Sequence, residues 1–209
     1  MAMNITVAAF DVDETLTVRD CVVPFMRSVA GTRRLMNVML SDLGSTIQRV
    51  RRRDRDFLKA KFVQGVFEGK NAGEIESLGV RFASKIADGW LRSDVAARMR
   101  WHQEQGHVVI LVSASLGAYL HPLGDLLEVD AVLCTELEEV NGILTGKLDG
   151  KNCRGEEKAS RVQKWCEGAG MNAEDLVYAY GDSSGDVQLL ELFSHGTWVN
   201  TIDLEENAA

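Results

Sequence analysis

Two aspartates one residue apart, Asp11 and Asp13, stand directly after a short apolar, β-branched run at residues 5–10. Such a run reads as a buried parallel strand, and a carboxylate at its end lies where open parallel sheets keep their ligands. Ser113 follows a second apolar run, Lys158 heads a helical pattern, and Asp182 and Asp186 follow a further run. If the runs lie side by side as parallel strands, these positions converge on one edge with four carboxylates, one hydroxyl and one ammonium. Crowded carboxylates repel one another, and a hard divalent cation that keeps some of its waters, Mg²⁺, is the expected remedy.

The order of the residues suggests roles. Asp11, first out of its strand, can attack phosphorus and split one difficult displacement into two easier ones. Asp13, on the same side, can protonate the leaving oxygen and then deprotonate the attacking water. Ser113 with the amide of Ala114 can hold a phosphoryl oxygen, while Lys158 neutralises charge that builds on the equatorial oxygens. Asp11, Asp13, Asp182 and Asp186 make up the expected metal site, with Asp186, one helical turn beyond Asp182, orienting the others from behind.

The elements that must position these groups are read from periodicity. Residues 21–88 are helical in pattern: Leu35, Val38, Met39 and Leu43 recur at spacings of three and four, and Phe57, Lys61, Phe62 and Phe67 follow a basic run. After Trp90 the pattern alternates. Helices are expected at residues 93–105, 116–127, 156–167 and 186–193, and strands at 107–112, 129–134, 176–180 and 197–199. A hairpin at 138–148 turns on Asn141-Gly142. The fold class is α/β, a Rossmann-like parallel sheet with helices on both faces plus an inserted all-helical cap. The core comprises residues 1–17 and 91–209, and the insert residues 18–90.

Asp11-Val12-Asp13-Glu14-Thr15-Leu16-Thr17 resembles the Asp-x-Asp-x-Thr signature of the haloacid-dehalogenase-like phosphatases. Ser113, Lys158 and Gly181-Asp182-Ser183-Ser184-Gly185-Asp186 resemble its other three motifs, in order. A helical insert between the first and second motifs is similar to the phosphoserine-phosphatase-like branch. The resemblance implies that the insert is a mobile lid that closes over the intermediate and excludes water. It also implies substrate contacts at Asp20, where that branch carries an acidic residue for the substrate amine, and at Lys61, where it carries an arginine for the carboxylate. A lysine cannot make the arginine fork, and Gly185 stands where the serine enzymes have asparagine. The chain therefore looks like the broader set of related hydrolases, some of which resemble enzymes of phospholipid-head-group metabolism.

Composition bounds the alternatives. The chain has 209 residues and a net charge of −8, which argues against a nucleic-acid partner. The charge is uneven: residues 21–90 hold 13 lysines and arginines against 7 acidic residues. Within them the run from Arg49 to Arg55 is either a solvated helix face or a cationic lid that attracts an anionic phosphorylated substrate. No apolar run approaches the roughly 20 residues of a membrane span. The start lacks a cationic leader, and the four scattered cysteines form no Cys-x-x-Cys pair, so a cytoplasmic protein with reduced thiols is expected. Two other functions use some of the same residues. A serine hydrolase could use Ser115 with Asp182 and His195, although Ser113 replaces the first glycine of the elbow. A non-enzymatic phospho-accepting switch would also need an acidic cluster, a hydroxyl and a lysine, but neither a long insert nor Asp13. A phosphate-binding loop at residues 65–71 lacks one spacer and the Ser or Thr after its lysine.

Overall fold

A computed structural model of the chain describes residues 5–40 and 55–200. The run Arg49 to Arg55 lies outside them, apart from the backbone of Arg55. Six strands make one sheet: β1 (Val7–Phe10), β2 (Val108–Leu116), β3 (Ala131–Val140), β4 (Ile143–Asp149), β5 (Leu176–Gly181) and β6 (His195–Trp198), in the order β4-β3-β2-β1-β5-β6. All neighbours are parallel except β3 and β4. The helices are α1 (Val22–Leu40, bent at Gly31), α2 (Arg55–Phe67), α3 (Ala72–Gly89), α4 (Ser93–Glu104), α5 (Gly117–Leu126), α6 (Glu156–Gly168) and α7 (Val187–Leu192).

Two strands run longer than in the expected layout. The strand expected at 129–134 and the first arm of the hairpin are one strand, β3, and its partner β4 makes the sheet mixed rather than purely parallel. The hairpin turn itself is where the Asn-Gly pair puts it, with φ of 53° at Asn141 and 81° at Gly142, the doubly left-handed geometry that suits a strand's twist. Likewise β2 runs past Ser113 to Leu116 with a break in register after Val112. Ser113 is therefore in an irregular strand end rather than beyond it.

The strand period of two divides the core. Ala8, Phe10, Val109 and Leu111 face one cluster with residues of α3, α4 and α5, while Val7, Ala9, Ile110 and Val112 face another with α6 and α7. The insert joins the first cluster. Phe25 of α1 and Phe82 of α3 put their rings 4.8 and 5.2 Å from that of Tyr119 in α5. The insert leaves and returns through a single antiparallel β-bridge between Thr17 and Leu91, with Val18 N–H bonded to Trp90 O at 2.8 Å and Arg92 N–H to Leu16 O at 2.9 Å. It is also pinned to the hairpin: Leu144 N–H donates to Lys70 O and Ala72 N–H to Gly142 O, each at 2.9 Å. These bonds satisfy part of an edge strand that would otherwise invite pairing with another chain.

Away from the sheet edge, His102 of α4 is fully buried beside Phe10 and Tyr180. Arg98 Nε donates to the Tyr180 hydroxyl oxygen at 2.9 Å, which leaves the phenol proton for His102 Nε2 at 3.0 Å and the imidazole proton on Nδ1, 2.8 Å from His107 Nδ1. Burial, Arg98 and His107 push the His102 pKa down to about 3. A depressed histidine is neutral when folded and takes up a proton when unfolded. Its contribution is therefore present above pH 6.5 and is lost as pH falls toward 3. Urea unfolding of the wild type and His102→Gln at pH 7 and pH 5 should show the wild type losing about 1–2 kcal/mol more than the variant; equal losses would contradict a buried neutral imidazole.

Candidate active site

The sheet edge beyond the carboxyl ends of β1, β2 and β5 holds a cleft of about 360 Å³. β1 stops because the chain turns at residues 12–16, where Glu14 takes a φ of 61°. Asp11 keeps its backbone in the sheet through a bond from its N–H to Tyr180 O at 3.0 Å, so its carboxylate is aimed by the strand itself. The turn carries Thr15 back beneath it. The Thr15 hydroxyl lies 3.1 Å from Asp11 Oδ2 and 3.2 Å from Asp182 Oδ1, and its single proton can serve only one at a time.

Lys158, buried in the first turn of α6, places its ammonium 2.5 Å from Asp11 Oδ1 and 2.5 Å from Asp186 Oδ1. The other oxygen of Asp186 accepts from the Ser183 amide and hydroxyl, both at 3.0 Å. Asp186 thus spends both oxygens on protein donors and holds Lys158 and the Asp182 loop in place. Burial works against charge on Lys158, but Asp11 and Asp186 outweigh it and keep the ammonium above its ordinary range. Burial pushes Asp11 up, the Lys158 ammonium pulls against it, and Asp186 pushes with it. Asp182 is pushed up to about 6 by burial and by the Asp11 and Asp186 charges.

Carboxylate oxygens of Asp11, Asp182 and Asp186 all lie within 4.8 Å of one another. Three carboxylates against one ammonium leave two negative charges, the amount one divalent cation neutralises, and an all-oxygen donor set suits Mg²⁺. The residues present therefore fit the expected ion. Asp13 does not join them. Its carboxylate faces the insert instead, accepting from the Cys21 amide at 2.8 Å and from the Ser115 hydroxyl. Asp13, expected at the metal site, has its carboxylate outside the Asp11, Asp182 and Asp186 cluster, because the turn directs it toward Cys21 and Ser115. Burial, with Asp20 nearby, pushes the Asp13 carboxyl up to about 7.

Ser115 is fully buried and shares that proton chain: Tyr119 donates to it at 2.6 Å while it donates to Asp13. His195 stacks on Tyr178 at 5.4 Å on the edge strand, and Asp182 is paired with Thr15. The hydrolase triad that chain order allowed is thus not assembled, since none of its three members bonds another.

Ser113 and Ala114 line the cleft, as does Asp20, whose Oδ2 accepts from Val23 N–H at 3.1 Å at the start of α1. Lys61 does not line it. Lys59 does, reaching from α2 into the core to donate to Ala114 O, Thr135 Oγ1 at 3.1 Å and Asn152 Oδ1 at 2.5 Å. Two residues on a helix are about 200° apart, so Lys59 shares the cleft-facing side with Phe62, one turn on, and Lys61 is carried round from it. That phase, set by Phe62, was the available signal. Asn152 and Arg154 also line the cleft from the loop after β4, and the Arg154 guanidinium lies over Gly185, 3.1 Å from where a side-chain carbon would begin. The branch's asparagine at that position is thus replaced by glycine with an arginine folded across it. Val22, Val23, Met26 and Phe62 give the cleft an apolar wall.

Comparison with known proteins agrees with this architecture. The haloacid dehalogenase-like hydrolase family model matches residues 8–191. Protein CicA of Caulobacter vibrioides is 35% identical over 185 residues, covering 88% of this chain and 81% of that protein. Phosphoserine phosphatase SerB1 of Mycobacterium tuberculosis is 26% identical over 206 residues, covering 95% of this chain and 66% of that protein. Among solved structures, a phospho-aspartyl intermediate analogue of phosphoserine phosphatase superposes with a TM-score of 0.62 at 18% identity, over 90% of this chain and 83% of that one. With an aspartate-lined sheet edge, helices between its first two strands and a family model that matches most of its length, the chain belongs to the haloacid dehalogenase-like hydrolases, with a fold like that of the solved phosphoserine phosphatase.

Proposed function

We propose that this phosphatase hydrolyses a small phosphomonoester through an aspartyl-phosphate on Asp11 with the help of Mg²⁺. The observation that carries the reading is the buried Lys158 ammonium at 2.5 Å from Asp11, because its charge favours the ionised, nucleophilic carboxylate against the burial that raises the Asp11 pKa. Asp11 attacks phosphorus and the bond to the leaving oxygen breaks; Asp13 gives that oxygen its proton. Water then attacks the same phosphorus, Asp13 takes its proton, and Asp11 is released. A carboxyl held near 7 by burial suits both halves of that exchange. Ser113 and the Ala114 amide line the cleft where they can receive phosphoryl oxygens, and Lys158 offsets charge building there. Asp11, Asp182 and Asp186 would hold the cation, with Asp186 acting mainly on the others, and the cation would supply further neutralisation of the phosphoryl charge.

The leaving group would lie against Val22, Val23, Met26 and Phe62, with Lys59, Asn152 and Arg154 above it. An apolar wall and two cations favour a phosphomonoester with some apolar surface and a second anionic or hydroxyl group. Phosphoserine and phospholipid-head-group precursors are the first compounds to screen. A cleft of this size beside Asp11 supports turnover rather than a phospho-accepting switch. The four cysteines are buried and free, which fits a reducing, cytoplasmic setting.

Asp11→Asn should abolish turnover of p-nitrophenyl phosphate, and Asp13→Asn should lower kcat by about 10²–10⁴; an active Asp11→Asn enzyme would overturn the proposal. EDTA should stop the wild-type reaction and added Mg²⁺ should restore it, whereas turnover in chelator would contradict the metal requirement. Lys59→Ala should cost about 10–100-fold in kcat/KM, the worth of charge-assisted hydrogen bonds, while Lys61→Ala stays within about twofold. The reverse ranking would return the cleft to Lys61.

A further inference from the structure

Behind the cleft, β3 presents two faces. Thr135, fully buried, receives Lys59 at 3.1 Å and the Cys153 amide at 3.0 Å. Its neighbours Cys134 and Glu136, two residues apart, share the other face and meet His121 of α5. His121 Nε2 is 2.8 Å from Glu136 Oε1, the Cys134 thiol donates to the same oxygen at 3.0 Å, and sulfur and imidazole nitrogen are 3.8 Å apart. One nitrogen, one sulfur and one oxygen thus point at a common centre, all within 4.8 Å.

We propose that His121, Cys134 and Glu136 form a second metal site, selective for a borderline transition-metal dication such as Zn²⁺, with water in the fourth position. The donor set differs in kind from the carboxylates around Asp11: sulfur and imidazole select zinc and cobalt over magnesium. The geometry is close to what tetrahedral coordination needs. Ordinary Zn–S, Zn–N and Zn–O lengths put such ligands about 3.4–3.6 Å apart. The sulfur–nitrogen pair, at 3.8 Å, must close by about 0.2 Å, and the two shorter contacts are hydrogen bonds that open by about 0.6 Å when a cation replaces the shared protons. Binding releases to solvent both the thiol proton and the proton that His121 Nε2 shares with Glu136, leaving the imidazole its Nδ1 proton. Two ligands ride on a paired strand and the third in the middle of a helix packed against it, so the site is largely formed beforehand. His121 and Glu136 have side chains 53% and 40% exposed, which gives an ion a path to the buried sulfur.

The test is a Co²⁺ titration of the full-length chain in excess Mg²⁺, which occupies hard carboxylate sites. A sulfur-to-cobalt charge-transfer band should rise to one equivalent, vanish in Cys134→Ser, and persist in Cys166→Ser and Asp182→Asn. His121→Ala, a change at an exposed position, should weaken Co²⁺ binding beyond the roughly 10–100-fold that loss of a supporting group costs. Zn²⁺ should compete the band away and raise Tm in the wild type but not in His121→Ala. Absence of the band, or its survival in folded His121→Ala at wild-type affinity, overturns the site and leaves a surface ion pair beside a buried thiol.

Discussion

A buried ammonium shared between two buried carboxylates is the constraint on which this site depends. Lys158 comes from the start of α6, Asp11 from the end of β1 and Asp186 from the start of α7. None of the three could be buried alone at tolerable cost, because an isolated ion in a protein interior loses its hydration without replacement. Together they fix three separate parts of the chain at one point. The sheet supplies the precision: parallel strands end at the same level, so groups distant in sequence reach one edge.

The charge left over explains the rest of the arrangement. Asp182 faces Asp11 across one threonine hydroxyl, and the excess negative charge asks for a cation there. Asp13, two residues from Asp11, is turned out of that field and into a separate chain through Ser115 to Tyr119. Two carboxylates of one short turn thereby have different environments, and different environments are what divide nucleophile from proton carrier. The insert completes the second environment, since the Cys21 amide holds Asp13 and Lys59 reaches the carbonyl of Ala114. Bonds of the insert to Asp13 and to the Ala114 carbonyl tie its position to the geometry of the cleft.

Most of the core was legible in the sequence because strand-end carboxylates interrupt apolar runs in a way that few other structures require. Asp11, Ser113, Lys158, Asp182 and Asp186 come together at the cleft for that reason. What was not legible depended on rotation and on distance through space. Alternation cannot say that the turn after Asp11 rotates the Asp13 carboxylate away from those of Asp11, Asp182 and Asp186, nor that a strand continues from Ala131 to Val140. Helix phase separates Lys59 from Lys61, and alignment by lysine alone missed it. The loop residues Asn152 and Arg154 carry no periodic signal at all, and only the fold of β4 against β3 brings them over Gly185.

The central claim is that Asp11 takes the phosphoryl group covalently. Quenching the enzyme during steady-state turnover and reducing it with borohydride should convert Asp11, and no other aspartate, to homoserine in the peptide mass spectrum, because only an acyl phosphate is reduced under those conditions. Turnover that continues with Asp11 recovered unmodified, or homoserine found at another position, would contradict the account.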